Sequence, residues 1–198
     1  MALKKAHSYI SETEYLQGEQ ISTIKHEYID GEVYAMAGAS RNHQRISGNL
    51  FNILTNYTAD LPCEAFSADL KVKAANGFFY PDVMVVCNDD DGDDYYTDQP
   101  KIIIEVLSKN TRRTDQTIKL AAYKTLASLQ EYVLIEQDHI DIEVFRRSAN
   151  WFSERYFIGD EVFFESLDLT VSVSDIYQRV NNEDMQDYLQ QLQQQQAS

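Results

Sequence analysis

The run Lys101-Ile102-Ile103-Ile104-Glu105-Val106-Leu107-Ser108 places one carboxylate inside an otherwise apolar strand-length stretch. The stretch is apolar on both faces, the pattern of a central strand covered by layers on either side. A carboxylate buried there is costly unless a cation partners it. A second apolar run, Val83-Met84-Val85-Val86, is headed by Tyr80-Pro81-Asp82. Pro81 has no N–H for a ladder and belongs at a strand start, which sets Asp82 at the mouth of that strand. Glu105 therefore asks for a partner, and Asp82 is its natural companion.

The flanking elements follow from local signals. Ser11 with Glu14 three residues on is a capping box, opening a short helix that ends near Gly18. Asp30-Gly31 between two strand-like runs predicts a hairpin over 25–36. Ile46, Leu50, Ile53, Leu54 and Tyr57 recur at helical spacing, so 42–57 reads as an amphipathic helix packed on a sheet. Residues 65–73 alternate as one strand, and Asn76-Gly77 turns the chain toward Asp82. Thr114 or Asp115 caps a helix through Leu126 that carries Lys119. Strands follow at 132–135 and 140–146. Residues 151–158 and 161–164 are expected to pair about Gly159-Asp160, with Ser174 capping a last short helix. This order predicts an α/β fold, a mixed central sheet flanked by helices. Residues 1–180 read as one domain and 181–198 as a polar, flexible Gln-rich tail, whose run over 190–196 lacks a burying face.

Composition narrows the function. The net charge of -15 speaks against a protein that coats nucleic acid nonspecifically. It leaves open an enzyme that meets nucleic acid through metal ions. The five aspartates between Asp89 and Asp94 lack the ligand pattern and closing glutamate of a calcium loop, and read as a solvated loop. Cys63 and Cys87 read as buried free thiols. The start Met1-Ala2-Leu3-Lys4-Lys5 has no apolar stretch of a signal peptide, and the chain reads as cytoplasmic. There is no Gly-rich phosphate loop, Gly-x-Ser-x-Gly elbow or zinc-ligand spacing.

Asp82 and Glu105, if their strands are neighbours, repel each other unless a cation lies between them. Magnesium suits two carboxylates completed by waters and phosphate oxygens. Lys119 is the positive group placed to join them. The structural alternative gives Glu105 an arginine or lysine partner, makes Asp82 a turn cap, and pairs Asp115 with Lys119 at i,i+4.

The ordered set Pro81-Asp82, Glu105-Val106-Leu107-Ser108, Asp115 with Lys119-Leu120-Ala121-Ala122-Tyr123, and Glu131-Tyr132 resembles the Uma-two family of restriction endonucleases. That family lies in the PD-(D/E)xK nuclease superfamily. Asp30-Gly31-Glu32 followed by His43-Gln44 fits the same resemblance, which covers about 10–175 of the chain. It implies a restriction-endonuclease-like fold and hydrolysis of DNA phosphodiesters, with Mg2+ or Mn2+ held by Asp82 and Glu105. Lys119 and Glu32 complete the catalytic set it implies, and a homodimer acting on double-stranded DNA is the expected assembly. One departure stands out: the superfamily's lysine two residues after the glutamate is Leu107 here, and Lys119 on the next helix takes its place. A catalytically inactive nucleic-acid- or protein-binding module is the alternative. His43, with no partner histidine nearby to make it a metal ligand, is read as holding the site or substrate or as a polar residue of the first helical turn. Arg112 and Arg113 are read as phosphate contacts or as a solvated loop.

Overall fold

The computed structural model describes residues 9–89 and 92–196. Met1 to Lys5, Asp90 and Asp91 of the acidic loop, and Ala197 and Ser198 of the tail lie outside the described residues.

The chain begins with α1 (Glu12–Ile21), closed at its N-terminus by the reciprocal Ser11–Glu14 capping box. The helix runs on through Gly18. β1 (His26–Ile29) and β2 (Glu32–Ala35) form the expected hairpin. Its turn has Asp30 at φ 48 and Gly31 at φ 88, the left-handed pair that a two-residue turn needs to match strand twist. α2 (Arg41–Thr58) follows, capped by Ser40. It buries Ile46, Leu50 and Leu54 on one face, each contributing about 2 kcal/mol of apolar burial.

The next strands are β3 (Cys63–Ser67), β4 (Lys71–Ala74), β5 (Gly77–Phe79), β6 (Val83–Cys87), β7 (Tyr96–Thr97) and β8 (Pro100–Leu107). The single strand predicted over 65–73 is two. Ala68, at φ 54, turns the chain, and β3 and β4 join different sheets. The helix carrying Lys119 starts earlier and ends earlier than predicted. It comprises α3 (Arg112–Thr114), a π-helical turn (Asp115–Lys119) and α4 (Leu120–Tyr123). β9 (Glu131–Glu136), β10 (Ile142–Arg146), β11 (Ser153–Tyr156), β12 (Glu161–Phe164), β13 (Leu169–Ser172), α5 (Val173–Ile176) and α6 (Glu183–Gln196) complete the chain.

The fold is mixed α/β, with its strands divided among several sheets rather than one. The largest has the order β11-β10-β9-β8-β6-β3, and a second has the order β2-β1-β5-β4-β7. β8 is central, parallel to β9 and antiparallel to β6. Its Ile102, Ile104 and Val106 face a core completed by α2 and α5. Its Ile103 and Leu107 face a second core completed by Tyr123 and by Val72 and Phe79 of the smaller sheet. Glu105 alternates with Ile103 and Leu107 and so points between the two sheets.

Three further expectations need correction. β11 pairs with β10, and β12 pairs with β13, so Gly159-Asp160 joins two sheets rather than closing a hairpin. Ser172, not Ser174, caps α5. Cys63 and Cys87 are a disulfide, not free thiols: they stand opposite each other in the β3–β6 ladder, Cα atoms 3.9 Å apart. The tail also differs, because α6 has a burying face at its start. Met185 is buried, Tyr188 packs on the core, and Asp184 accepts the Ile140 N–H at 2.7 Å. Among the described residues no helix is long and apolar enough to cross a membrane.

Candidate active site

The β6–β8 ladder pairs Val83 with Ile104, so Asp82 leaves the end of β6 beside Glu105. A hydrogen bond fixes it there: the Val106 N–H donates to Asp82 Oδ2 at 2.7 Å. Glu105 is 3% exposed. Its Oε1 accepts from Lys119 Nζ and from the Tyr123 hydroxyl, each at 3.1 Å.

Lys119 is the hub. Its amine lies 2.8 Å from Glu27, 3.1 Å from Glu105 and 3.2 Å from Asp115. An ammonium has three hydrogens, and three carboxylates surround it. The π turn presents both Asp115 and Lys119 inward, and Tyr132 donates its hydroxyl to the Asp115 carbonyl at 3.0 Å. Turns of this kind are rare and recur at functional sites.

The charges do not balance. Burial pushes the Glu105 carboxyl well above its ordinary range; Lys119 opposes this, and the charges of Asp115, Asp82 and Glu27 add to it. Burial also raises Asp115, again against Lys119. Burial alone would lower Lys119, but Glu105, Glu27 and Asp115 outweigh it and hold its proton well above the ordinary lysine range. Lys119 thus stays charged, and Glu105 is the acid that most resists ionisation.

Glu32, expected as the extra acid, is not in this cluster. It lies opposite Ile29 in the hairpin ladder and shares the inward face, but on the edge strand β2. There it is exposed and accepts the Tyr34 hydroxyl at 2.5 Å. Glu27, one strand further in, is the hairpin acid that contacts Lys119. Its Oε1 also accepts the Tyr80 N–H at 3.3 Å. The sequence held a signal for it, since Glu27 alternates with Ile29 on the face that β1 turns inward. Arg112 is engaged by Glu136 through two contacts, one at 2.9 Å and one shorter, and so ties the helix to β9. Arg113 faces solvent. His43 comes to the site from the first turn of α2, with Nε2 3.2 Å from Asp82 Oδ2.

The donor set suits a hard, partly hydrated cation. Asp82 Oδ1 and Glu105 Oε2 have no protein donor among the described residues. No group of three or more histidine, cysteine, aspartate or glutamate side chains cages a metal there. Two carboxylates beside one lysine fit magnesium, which keeps waters and takes phosphate oxygens, and do not fit a closed zinc centre.

A sequence model of the Uma-two family, described as “Putative restriction endonuclease”, matches residues 13–176. The chain belongs to the Uma-two family. Among its relatives is the uncharacterized protein slr1290 of Synechocystis, 34% identical over 173 residues, 85% of this chain and 91% of that one. Another, sll1609 of the same organism, is 33% identical over 168 residues, 82% of this chain and 93% of that one. The crystal structure of a “putative nuclease” from Anabaena variabilis matches with a TM-score of 0.73 at 20% identity. That match covers 85% of this chain and 97% of the solved one. The likeness establishes the fold, in which the Uma-two chain carries Asp82 just before β6, Glu105 on β8 and Lys119 in the π turn that follows.

Proposed function

We propose that this Uma-two protein is a magnesium-dependent endonuclease that hydrolyses phosphodiester bonds of double-stranded DNA. The observation that carries this reading is the convergence of Asp82, Glu105 and Lys119 at the end of two adjoining strands. The family description and the fold neighbour, described as a “putative nuclease”, support it. In this reading Asp82 Oδ1 and Glu105 Oε2 hold the cation. When bound, it polarises the phosphodiester and lowers the pKa of an attacking water.

The protein's own groups prepare that site. Val106 N–H orients Asp82, while Tyr123 and Lys119 orient Glu105. Lys119 holds the cluster's negative charge in check and takes the place that Leu107 cannot fill. Its three hydrogens already face three carboxylates, so a phosphate reaches the amine only when one of them lets go. Glu27 joins the set as the acid that the N-terminal hairpin supplies. Two copies, each cutting one strand, are the assembly this reading takes.

The test is cleavage of supercoiled plasmid with magnesium or manganese, compared with chelator and with Asp82→Ala. Metal-dependent nicking that Asp82→Ala abolishes is the expected result. A folded wild type that cuts nothing with either ion shifts the reading to a noncatalytic binding module.

A further inference from the structure

We propose that His43 is a positioning residue that assigns the two oxygens of Asp82 to different tasks. The inference rests on the metal-site reading above and deepens it.

Asp82 Oδ2 has neighbours on two sides: the Val106 N–H donates to it at 2.7 Å, and His43 Nε2 lies in ion-pair contact at 3.2 Å. One donor would leave the carboxylate free to pivot about a single hydrogen bond. A hydrogen bond from β8 and a contact from α2 together restrict its rotation. The oxygen they do not touch, Oδ1, is then the one presented outward, on a side chain 20% exposed.

His43 is itself fixed by the strand that supplies the Val106 N–H. Its N–H bonds to the Ser40 hydroxyl oxygen at 3.1 Å. Ser40 donates to the Gln137 side chain, whose amide donates to the Leu107 carbonyl at 2.7 Å. The end of β8 thus presents the Val106 N–H and also anchors the start of α2. A site held on rigid elements in this way keeps its geometry without its ligand.

The ring's environment points to the same role. His43 Nδ1 is buried and has no hydrogen-bond partner. Among the described residues, the ring's one polar partner is Asp82. Buried imidazoles kept for structure are ordinarily satisfied at both nitrogens. Here Nδ1 has no hydrogen-bond partner, and Nε2 faces the candidate metal ligand at 3.2 Å. Groups that orient a metal-binding carboxylate typically carry 10- to 100-fold of the metal affinity, to order of magnitude about that range.

The experiment is a manganese titration of the full chain, read by the electron paramagnetic resonance of free manganese and by calorimetry. Wild type, His43→Ala, His43→Gln and His43→Asn are compared, with metal-free melting curves alongside. The Gln amide nitrogen reaches about as far as imidazole Nε2, and that of Asn falls short. The expected result is manganese binding roughly 10- to 100-fold weaker in His43→Ala, recovery in His43→Gln and no recovery in His43→Asn. Wild-type affinity in a folded His43→Ala overturns the inference and leaves the metal site standing. Loss of binding that tracks a fall in melting temperature, with no rescue by His43→Gln, also overturns it. A wild type that binds no manganese overturns the metal-site reading, and the inference with it.

Discussion

Glu27 and Lys119 meet at 2.8 Å, although one lies on the N-terminal hairpin and the other on the π turn that follows the central strand. Their contact joins the smaller sheet to the larger one at the point where Glu105 is buried. It also makes the hairpin part of the candidate site through Glu27 rather than Glu32.

The two glutamates therefore give different outcomes. Glu27→Ala removes one of the three carboxylates around Lys119 and the acceptor of the Tyr80 N–H. Plasmid cleavage is expected to fall by on the order of 10-fold or more, as when a group orienting a metal site is removed. Glu32→Ala removes an exposed carboxylate whose contact is Tyr34. Cleavage and melting temperature should both stay near wild type, since exposed substitutions usually change stability by less than about 0.5 kcal/mol. The reverse pattern would return Glu32 to the site.

Lys119 is better read as a support of the fold than as a spectator of it. Lys119→Ala leaves Glu27, Glu105 and Asp115 facing one another without a counter-charge. Breaking a buried ion pair in this way costs about 3–5 kcal/mol. Urea unfolding should show that loss, and magnesium should recover part of it by replacing the missing positive charge. Lys119→Arg should not restore the wild type, because a planar guanidinium cannot aim three hydrogens at three converging carboxylates. A Lys119→Ala protein as stable as wild type would show that the acids are protonated rather than paired.

The central strand, its buried acid and the Asp82 companion were legible because charge inside an apolar run is a local signal with a physical cost. The capping box and the Asp30-Gly31 hairpin were legible for the same reason, each resting on a few adjacent residues. What escaped was set by pairing at a distance. Ala68 divides one alternating run between two sheets, and nothing in its own sequence demands a left-handed backbone. The choice of Glu27 over Glu32 depends on which strand of the hairpin meets β5. The partners of Arg112 depend on where β9 ends. The Gln-rich tail looked unable to bury anything, yet Met185 and Tyr188 at its start find the core.

Cys63 and Cys87 link the edge strand β3 to β6, the strand that delivers Asp82. They close a loop with a sequence separation of 24. Cross-linking a loop of that size is worth about 3 kcal/mol through the unfolded chain. Urea denaturation with and without a thiol reductant should show a midpoint shift of that order. The Cys63→Ala/Cys87→Ala double variant should match the reduced protein and be insensitive to reductant. Identical midpoints in all conditions would mean that the bond adds nothing to the ladder already holding the two strands.

The last prediction concerns Glu105 and pH. Burial, opposed by Lys119 and reinforced by Asp115, Asp82 and Glu27, raises the folded-state pKa of Glu105 well above the ordinary 4.5. The folded protein therefore keeps this proton to higher pH than the unfolded chain does. Below 4.5 both states are protonated, and the group costs nothing. As pH rises from there toward the folded-state value, the unfolded chain ionises and the folded protein resists, so metal-free stability falls across that window. Glu105→Gln removes the titration but keeps an acceptor for Lys119 and Tyr123. Its melting temperature should match wild type in acid and exceed it increasingly as pH rises past the ordinary carboxylate range. Magnesium should then narrow the gap, because a cation that binds only the folded wild type stabilises it by mass action. Cleavage by Glu105→Gln should be lost at every pH. A melting difference that does not change with pH would show that Glu105 is ionised throughout, with Lys119 alone enough to hold its charge.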